Sequence, residues 1–151
     1  MHLDNEIKLD YKDVLLKPKR STLSSRRDVK MTRSFTFRNS NETYECCPIV
    51  ASNMDGVGTF SMAKVIQDYK MMTTITKTTT IDQWKKAVGE GIKLKYLSVC
   101  TGTGKLWDND AEDYSTMQKV LKNYPDIKFI TIDVANGYHT NFSDFVGAVR
   151  E

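Results

Sequence analysis

Ile49-Val50-Ala51-Ser52-Asn53-Met54-Asp55-Gly56-Val57-Gly58-Thr59-Phe60-Ser61-Met62-Ala63-Lys64-Val65-Ile66 is the stretch from which the fold is read. Its first three residues form a short apolar run suited to a buried strand. Asn53, Asp55, Gly56 and Gly58 supply loop chemistry, and residues 59–69 then space Phe60, Met62, Ala63, Val65 and Ile66 as a helix does. The unit is strand, polar loop, helix.

Working downstream, the same unit recurs three times. Residues 71–76 are rich in Thr and Ile and lead through Lys77-Thr78-Thr79-Thr80 into a helix over 81–88, with Thr80 or Asp82 as its cap. Residues 94–100 form the next strand, Thr101-Gly102-Thr103-Gly104 its loop, and 111–124 a helix with Tyr114, Met117, Val120 and Leu121 on one face. A fourth strand over 127–134 is followed by Ala135-Asn136-Gly137-Tyr138 and a helix carrying Phe142, Phe145, Val146 and Val149. Strands joined through helices run parallel, because parallel neighbours need a crossover connection. An α/β protein follows, either an open doubly wound sheet or part of a (β/α)8 barrel. Both architectures place their chemistry in the loops after the strands, where the polar and glycine residues of this chain collect. Neither a Walker phosphate loop nor a GxGxxG turn is present, and Thr101-Gly102-Thr103-Gly104-Lys105 has the spacing of neither.

Upstream, residues 1–47 read as an extended arm with brief strands, and 48–151 as the four β/α units, the whole forming a single partial-barrel domain. Residues 1–40 hold ten lysines and arginines against five acidic residues, a net charge of +5, while the remainder hold 12 against 14, a net of −2. Guanidinium forks match phosphate oxygens, so the basic arm suits a phosphorylated small molecule. Few aromatics interleave with these charges, which disfavours a nucleic-acid groove. The chain has 151 residues, 40% hydrophobic and 27% charged, a composition that excludes collagen-like and disordered polymers. No apolar run reaches the 18 to 20 or so residues of a membrane span, and Met1-His2-Leu3-Asp4-Asn5-Glu6 lacks a secretory layout, so a cytoplasmic setting is expected. Cys46, Cys47 and Cys100 are too few and too irregular for a disulfide scaffold or a zinc knuckle, and no metal site is expected.

Four segments together resemble the IMP dehydrogenase/GMP reductase family, and its reductase branch most. They are the run from Leu9 through Ser21, Thr32-Arg33-Ser34-Phe35-Thr36-Phe37-Arg38, Asn53-Met54-Asp55-Gly56-Val57-Gly58-Thr59-Phe60, and Asp133-Val134-Ala135-Asn136-Gly137-Tyr138. The resemblance implies the amino-terminal half of a (β/α)8 TIM barrel and an NADPH-dependent reductive deamination of GMP to IMP and ammonia. It further implies that Lys77 lies near the nicotinamide and the reacting purine, with a catalytic role. Asp133, Val134 and Ala135 fall on a cofactor-contact stretch. Ser25 and Arg26 fall on an arm segment that reaches NADPH held by a neighbouring subunit, and Ser52 and Met54 on contacts to the substrate base.

The chain departs from that family in three places. The resemblance stops after the fourth unit, and with the missing half go the catalytic cysteine that bonds the purine, a monovalent-cation loop and a glycine-rich phosphate cradle. Cys100 stands in the wrong motif to replace that cysteine. Thr76 and Thr78 flank Lys77 where histidines are usual, and Thr79 stands where an aromatic is usual. Residues 105–110, with Trp107, lengthen a loop. A half barrel leaves one face and two sheet edges uncovered, so either a complementing carboxy-terminal half or a second copy of the chain is expected as partner, without nucleic acid or membrane.

Overall fold

A computed structural model describes Leu3, residues 5–103 and residues 112–150. The chain divides into two compact units, Met1–Lys30 and Met31–Glu151.

The first unit contains no strand among its described residues. Two single 3-10 turns, Tyr11–Asp13 and Arg26–Asp28, punctuate extended chain, each closed by a reciprocal cap. Asp10 accepts from the Tyr11 amide at 2.7 Å while the Asp13 carboxylate accepts from the Asp10 amide at 2.9 Å. Such caps satisfy the amides that a one-turn helix cannot pair internally.

Both brief strands within residues 1–47 fall in the second unit. Strands β1 (Arg33–Thr36) and β2 (Thr43–Cys46) pair as an antiparallel hairpin. Strands β3 (Val50–Ala51), β4 (Met72–Ile75), β5 (Leu97–Thr101) and β6 (Phe129–Ile132) form a parallel sheet in the order β3-β4-β5-β6. Helices α1 (Phe60–Ile66), α2 (Ile81–Gly89), α3 (Glu112–Asn123) and α4 (Thr140–Arg150) alternate with them. Spatial order therefore equals chain order, with no reversal of the kind that makes a doubly wound sheet.

Strand residues alternate between two faces. Ile75, Leu97 and Val99 point toward the helices and join Ala63 of α1, Trp84 of α2 and Val120 of α3 in one buried core. Trp84 is the largest side chain of that core, and the edge of Phe60 meets its ring at 5.0 Å between centroids. The opposite face carries a cluster of hydroxyls. Thr131 of β6 bonds Ser98 of β5 at 2.8 Å and Thr74 of β4 at 3.3 Å, which satisfies three polar groups at once.

The hairpin closes the sheet at the end where its strands begin. Tyr44 stacks edge-on against Phe129 and Tyr96, Phe37 meets Phe129 at 5.6 Å, and the Tyr44 hydroxyl donates to the Lys95 carbonyl at 2.6 Å. Burial, with smaller contributions from Cys46 and Tyr96, pushes the Tyr44 phenol above the usual tyrosine range. Burial likewise raises the Cys46 thiol, and none of the three cysteines is in a disulfide.

Several boundaries differ from those expected. The helix expected over 59–69 ends at Ile66 and passes into a 3-10 turn, Gln67–Tyr69, that stops at Lys70 in the left-handed region with φ 57°. The strand expected to begin at 94 is preceded by a 3-10 turn, Leu94–Tyr96, which delivers Tyr96 into the aromatic cluster. The run Ile49-Val50-Ala51 is not buried; Val50 is 53% exposed, because β3 is an edge strand with only β4 beside it. The fourth strand shortens to Phe129–Ile132, and Ile127 packs in the core from a turn instead.

Candidate functional site

The carboxyl ends of β4 and β6 carry the two groups that face each other most directly. After β4, Thr76, Lys77, Thr78 and Thr79 form a tight turn, closed by the Thr79 amide donating to the Thr76 carbonyl at 3.1 Å. Thr80 then caps α2, accepting from the Gln83 amide while Gln83 Oε1 accepts from the Thr80 amide at 2.8 Å. After β6, the Asp133 amide donates to the Thr101 carbonyl at 2.8 Å, prolonging the ladder by one residue. Lys77 Nζ reaches Asp133 Oδ2 at 3.3 Å across the end of β5. Both side chains remain about two-fifths open to solvent, at 42% and 43%. Such a pair is available to an incoming ligand, since its partners are neither desolvated nor locked.

The loop after β3 presses on the same end. Gly58 is there because nothing larger fits: a Cβ would lie 2.4 Å from the Thr74 carbonyl oxygen and 2.8 Å from that of Ser52. Its carbonyl accepts from the Thr76 amide at 3.1 Å, tying the first loop to the lysine turn. Ser52 and Met54 lie in this loop, both exposed, with Met54 at 65%. Between them Asn53 turns inward and donates to Cys100 Sγ at 3.5 Å. Cys100 is 3% exposed, so it is no ready nucleophile. A cleft of about 400 Å³ opens beside Lys77, walled by Thr78, Thr79, Thr80, Glu112 and Thr116.

Of the residues singled out from sequence, Lys77, Asp133, Ser52 and Met54 therefore emerge at the carboxyl ends of the parallel strands. Val134 is half-buried behind Asp133, and Ala135 is exposed at the loop crest. Ser25 and Arg26 lie in the Met1–Lys30 unit. There the Ser25 hydroxyl accepts from the Arg27 amide at 3.2 Å and the Asp28 carboxylate accepts from the Ser25 amide at 3.0 Å. That serine is committed to a local cap. Gly104, Lys105 and the 105–110 segment with Trp107 lie outside the described residues. Among the described residues no group of three or more His, Cys, Asp or Glu could hold a metal, and no helix is long and apolar enough to cross a membrane.

Sequence reasoning missed Asn53 and the hydroxyls of Thr76 and Thr79. The signal for the threonines was present, since four threonines in the five residues after a strand, Thr76, Thr78, Thr79 and Thr80, exceed what one helix cap requires.

GMP reductase 2 of Homo sapiens is 46% identical to this chain over 151 residues, covering 99% of the chain and 42% of that protein. The chain is similar to GMP reductases over nearly all of its own length. GMP reductase of Caenorhabditis elegans is 45% identical over 149 residues, and that of Klebsiella pneumoniae 44% over 154, covering 99% and 100% of the chain. The matched stretch thus reaches from arm to last helix. The chain spans only about two fifths of the length of these GMP reductases, at 42%, 40% and 42%. No family model matches the chain.

Proposed function

We propose that this chain supplies the amino-terminal half of a GMP reductase-type (β/α)8 barrel, contributing the lysine and the cofactor-contact loop to NADPH-dependent reductive deamination. The net reaction is GMP plus NADPH plus a proton giving IMP, NADP⁺ and ammonia. The observation that carries the reading is the approach of Lys77 and Asp133 to 3.3 Å at one end of the sheet, from loops 56 residues apart in sequence. Sequential strand order and helices sharing one core further suit one side of a barrel, which leaves β3 and β6 to pair with strands from elsewhere.

NADPH would supply the hydride. The chain's own residues suit it: the Asp133 carboxylate can accept from ribose hydroxyls, the small Ala135 lets a ring approach, and the Lys77 ammonium can stabilise negative charge or donate a proton. Ser52 and Met54 would border the purine, and Ser25 and Arg26 would serve a cofactor phosphate in an assembled oligomer. A monovalent cation enters only with the missing half, and the setting is cytoplasmic.

The partner is either a complementing carboxy-terminal polypeptide or another copy of the chain. Alone, these 151 residues should bind NADPH and not turn over GMP, because Cys100, the cysteine beside the site, is buried. The test is NADPH oxidation, followed by absorbance, for the chain alone and after mixing with the carboxy-terminal three-fifths of a reductase relative. Turnover only in the mixture is expected; robust turnover by the chain alone contradicts the division of labour. A second reading, a non-catalytic module that binds nucleotide or modulates the oligomer of a complete relative, is favoured by the same buried Cys100. NADPH binding or co-assembly without turnover in the mixture would select it.

A further inference from the structure

Thr76 makes more connections than its place after a strand requires. Its amide donates to the Gly58 carbonyl at 3.1 Å, and its carbonyl accepts from the Thr79 amide at 3.1 Å. Its hydroxyl pairs with that of Thr79 at 3.0 Å and accepts from Thr78 Oγ1 at 3.4 Å. None of these bonds caps α2, because Thr80 and Gln83 already perform that task. Gly58 itself sits where a Cβ would meet the Thr74 and Ser52 carbonyls, so Thr76 is tied to closely packed backbone. On the other side of the pair, Asp133 is held to Thr101.

The ion pair between them spans two half-exposed side chains. An exposed pair returns little once the rotamer entropy of its lysine stem is met. The pair therefore forms most readily where the turn already directs the lysine toward the carboxylate. We propose that the Thr76–Thr79 hydroxyl pair is the positioning device for Lys77, locking the 76–79 turn so that the ammonium faces Asp133 and the cofactor position. The inference rests on the GMP reductase-type reading for the meaning of that position, and on the hydrogen bonds alone for the positioning itself.

The experiment measures acylation of Lys77 in the full chain by limiting sulfo-N-hydroxysuccinimide acetate, resolved by residue with mass spectrometry, with Lys64 and Lys70 as internal references. Lys64 and Lys70 are ion-paired elsewhere, to Glu90 and Glu45. Thr76→Val, which removes the hydroxyl and keeps the shape, should raise the Lys77 rate by about two- to fivefold, within the most that loss of an exposed ion pair gives. Thr76→Ser should restore the wild-type rate, and Asp133→Ala sets the ceiling. Thr79→Val approaches the same hydroxyl pair from the other side and should match Thr76→Val, with the double variant no faster than either. Equal rates in wild type and both valine variants, or failure of serine to restore, overturn the proposal. A parallel NADPH fluorescence titration separates the two ideas: absence of binding to the wild-type chain overturns the cofactor reading and leaves the labelling result intact.

Discussion

Replacing Asp133 by alanine should separate stability from binding. Two unit charges 3.3 Å apart attract by about 1.3 kcal/mol in a water-like dielectric and about 5 kcal/mol at an effective dielectric of 20. Exposure of 42% and 43% puts this pair near the weaker limit. Ordering the lysine removes much of the gain, which leaves a net contribution of about 0.2–1 kcal/mol. The variant should therefore melt within about 4 °C of wild type. NADPH binding should respond more strongly, because a hydrogen bond to a charged acceptor contributes about 1.5–3 kcal/mol. That range corresponds to a dissociation constant raised about 10- to 150-fold. Urea unfolding and NADPH fluorescence titration on the same preparation measure both quantities. A dissociation constant within twofold of wild type refutes the cofactor role of Asp133. A stability loss above about 3 kcal/mol, the range of a buried pair broken on one side, refutes the account of the pair as an open site rather than a strut.

Three further outcomes follow from the packing. Tyr44 holds its proton to higher pH in the fold than in the unfolded chain, so its contribution is intact below about pH 10 and declines as pH rises above that. Tyr44→Phe should flatten the alkaline fall in urea midpoint, by a fraction of the roughly 1.4 kcal/mol per pH unit that a fully buried group would give; an equally steep fall contradicts this. Gly58→Ala should destabilise by about 1–3 kcal/mol, since the three nearest atoms its Cβ would meet are all backbone, while Gly89→Ala, facing open space, should cost nothing in the same thermal melts. Thr73 is fully buried and its Oγ1 lacks a partner among the described residues, so Thr73→Val should raise stability by about 1 kcal/mol; a lower urea midpoint would show that the hydroxyl is satisfied after all.

The alternation of apolar runs with helical spacing was readable because each helix buries one stripe against one sheet face, and Trp84, Val120 and Leu97 carry that pattern in their own sequence neighbourhoods. The failures have a common cause in contacts distant in sequence. Leu94 and Tyr96 look like strand residues, but Tyr44, some fifty residues earlier, grips the Lys95 carbonyl and the preceding turn tightens. Ile49 and Val50 look buried, yet burial of an edge strand depends on a neighbour that the local sequence does not contain. Lys70 ends its turn in a conformation that glycine usually takes, so no punctuation marked that stop.

The site divides along the same line. Lys77 and Asp133 were legible through the family resemblance alone, since a charge after a strand is by itself as readily a solvated loop residue. Their pairing was not, since it depends on β4 and β6 flanking β5 in that order. Thr76 and Thr79 were harder still, because threonine is a strand former and a cap former, and either use explains it locally. Only the geometry shows both uses already taken, the strand ending at Ile75 and the cap made by Thr80, which leaves two hydroxyls facing each other beneath a lysine. The hairpin, by contrast, occupies the end where the strands begin, through Tyr44 and Phe129. Stability is thereby concentrated at one end of the sheet and exchangeable polar groups at the other, so substitutions at Tyr44 should change melting with little effect on ligand affinity, and substitutions at Asp133 the reverse.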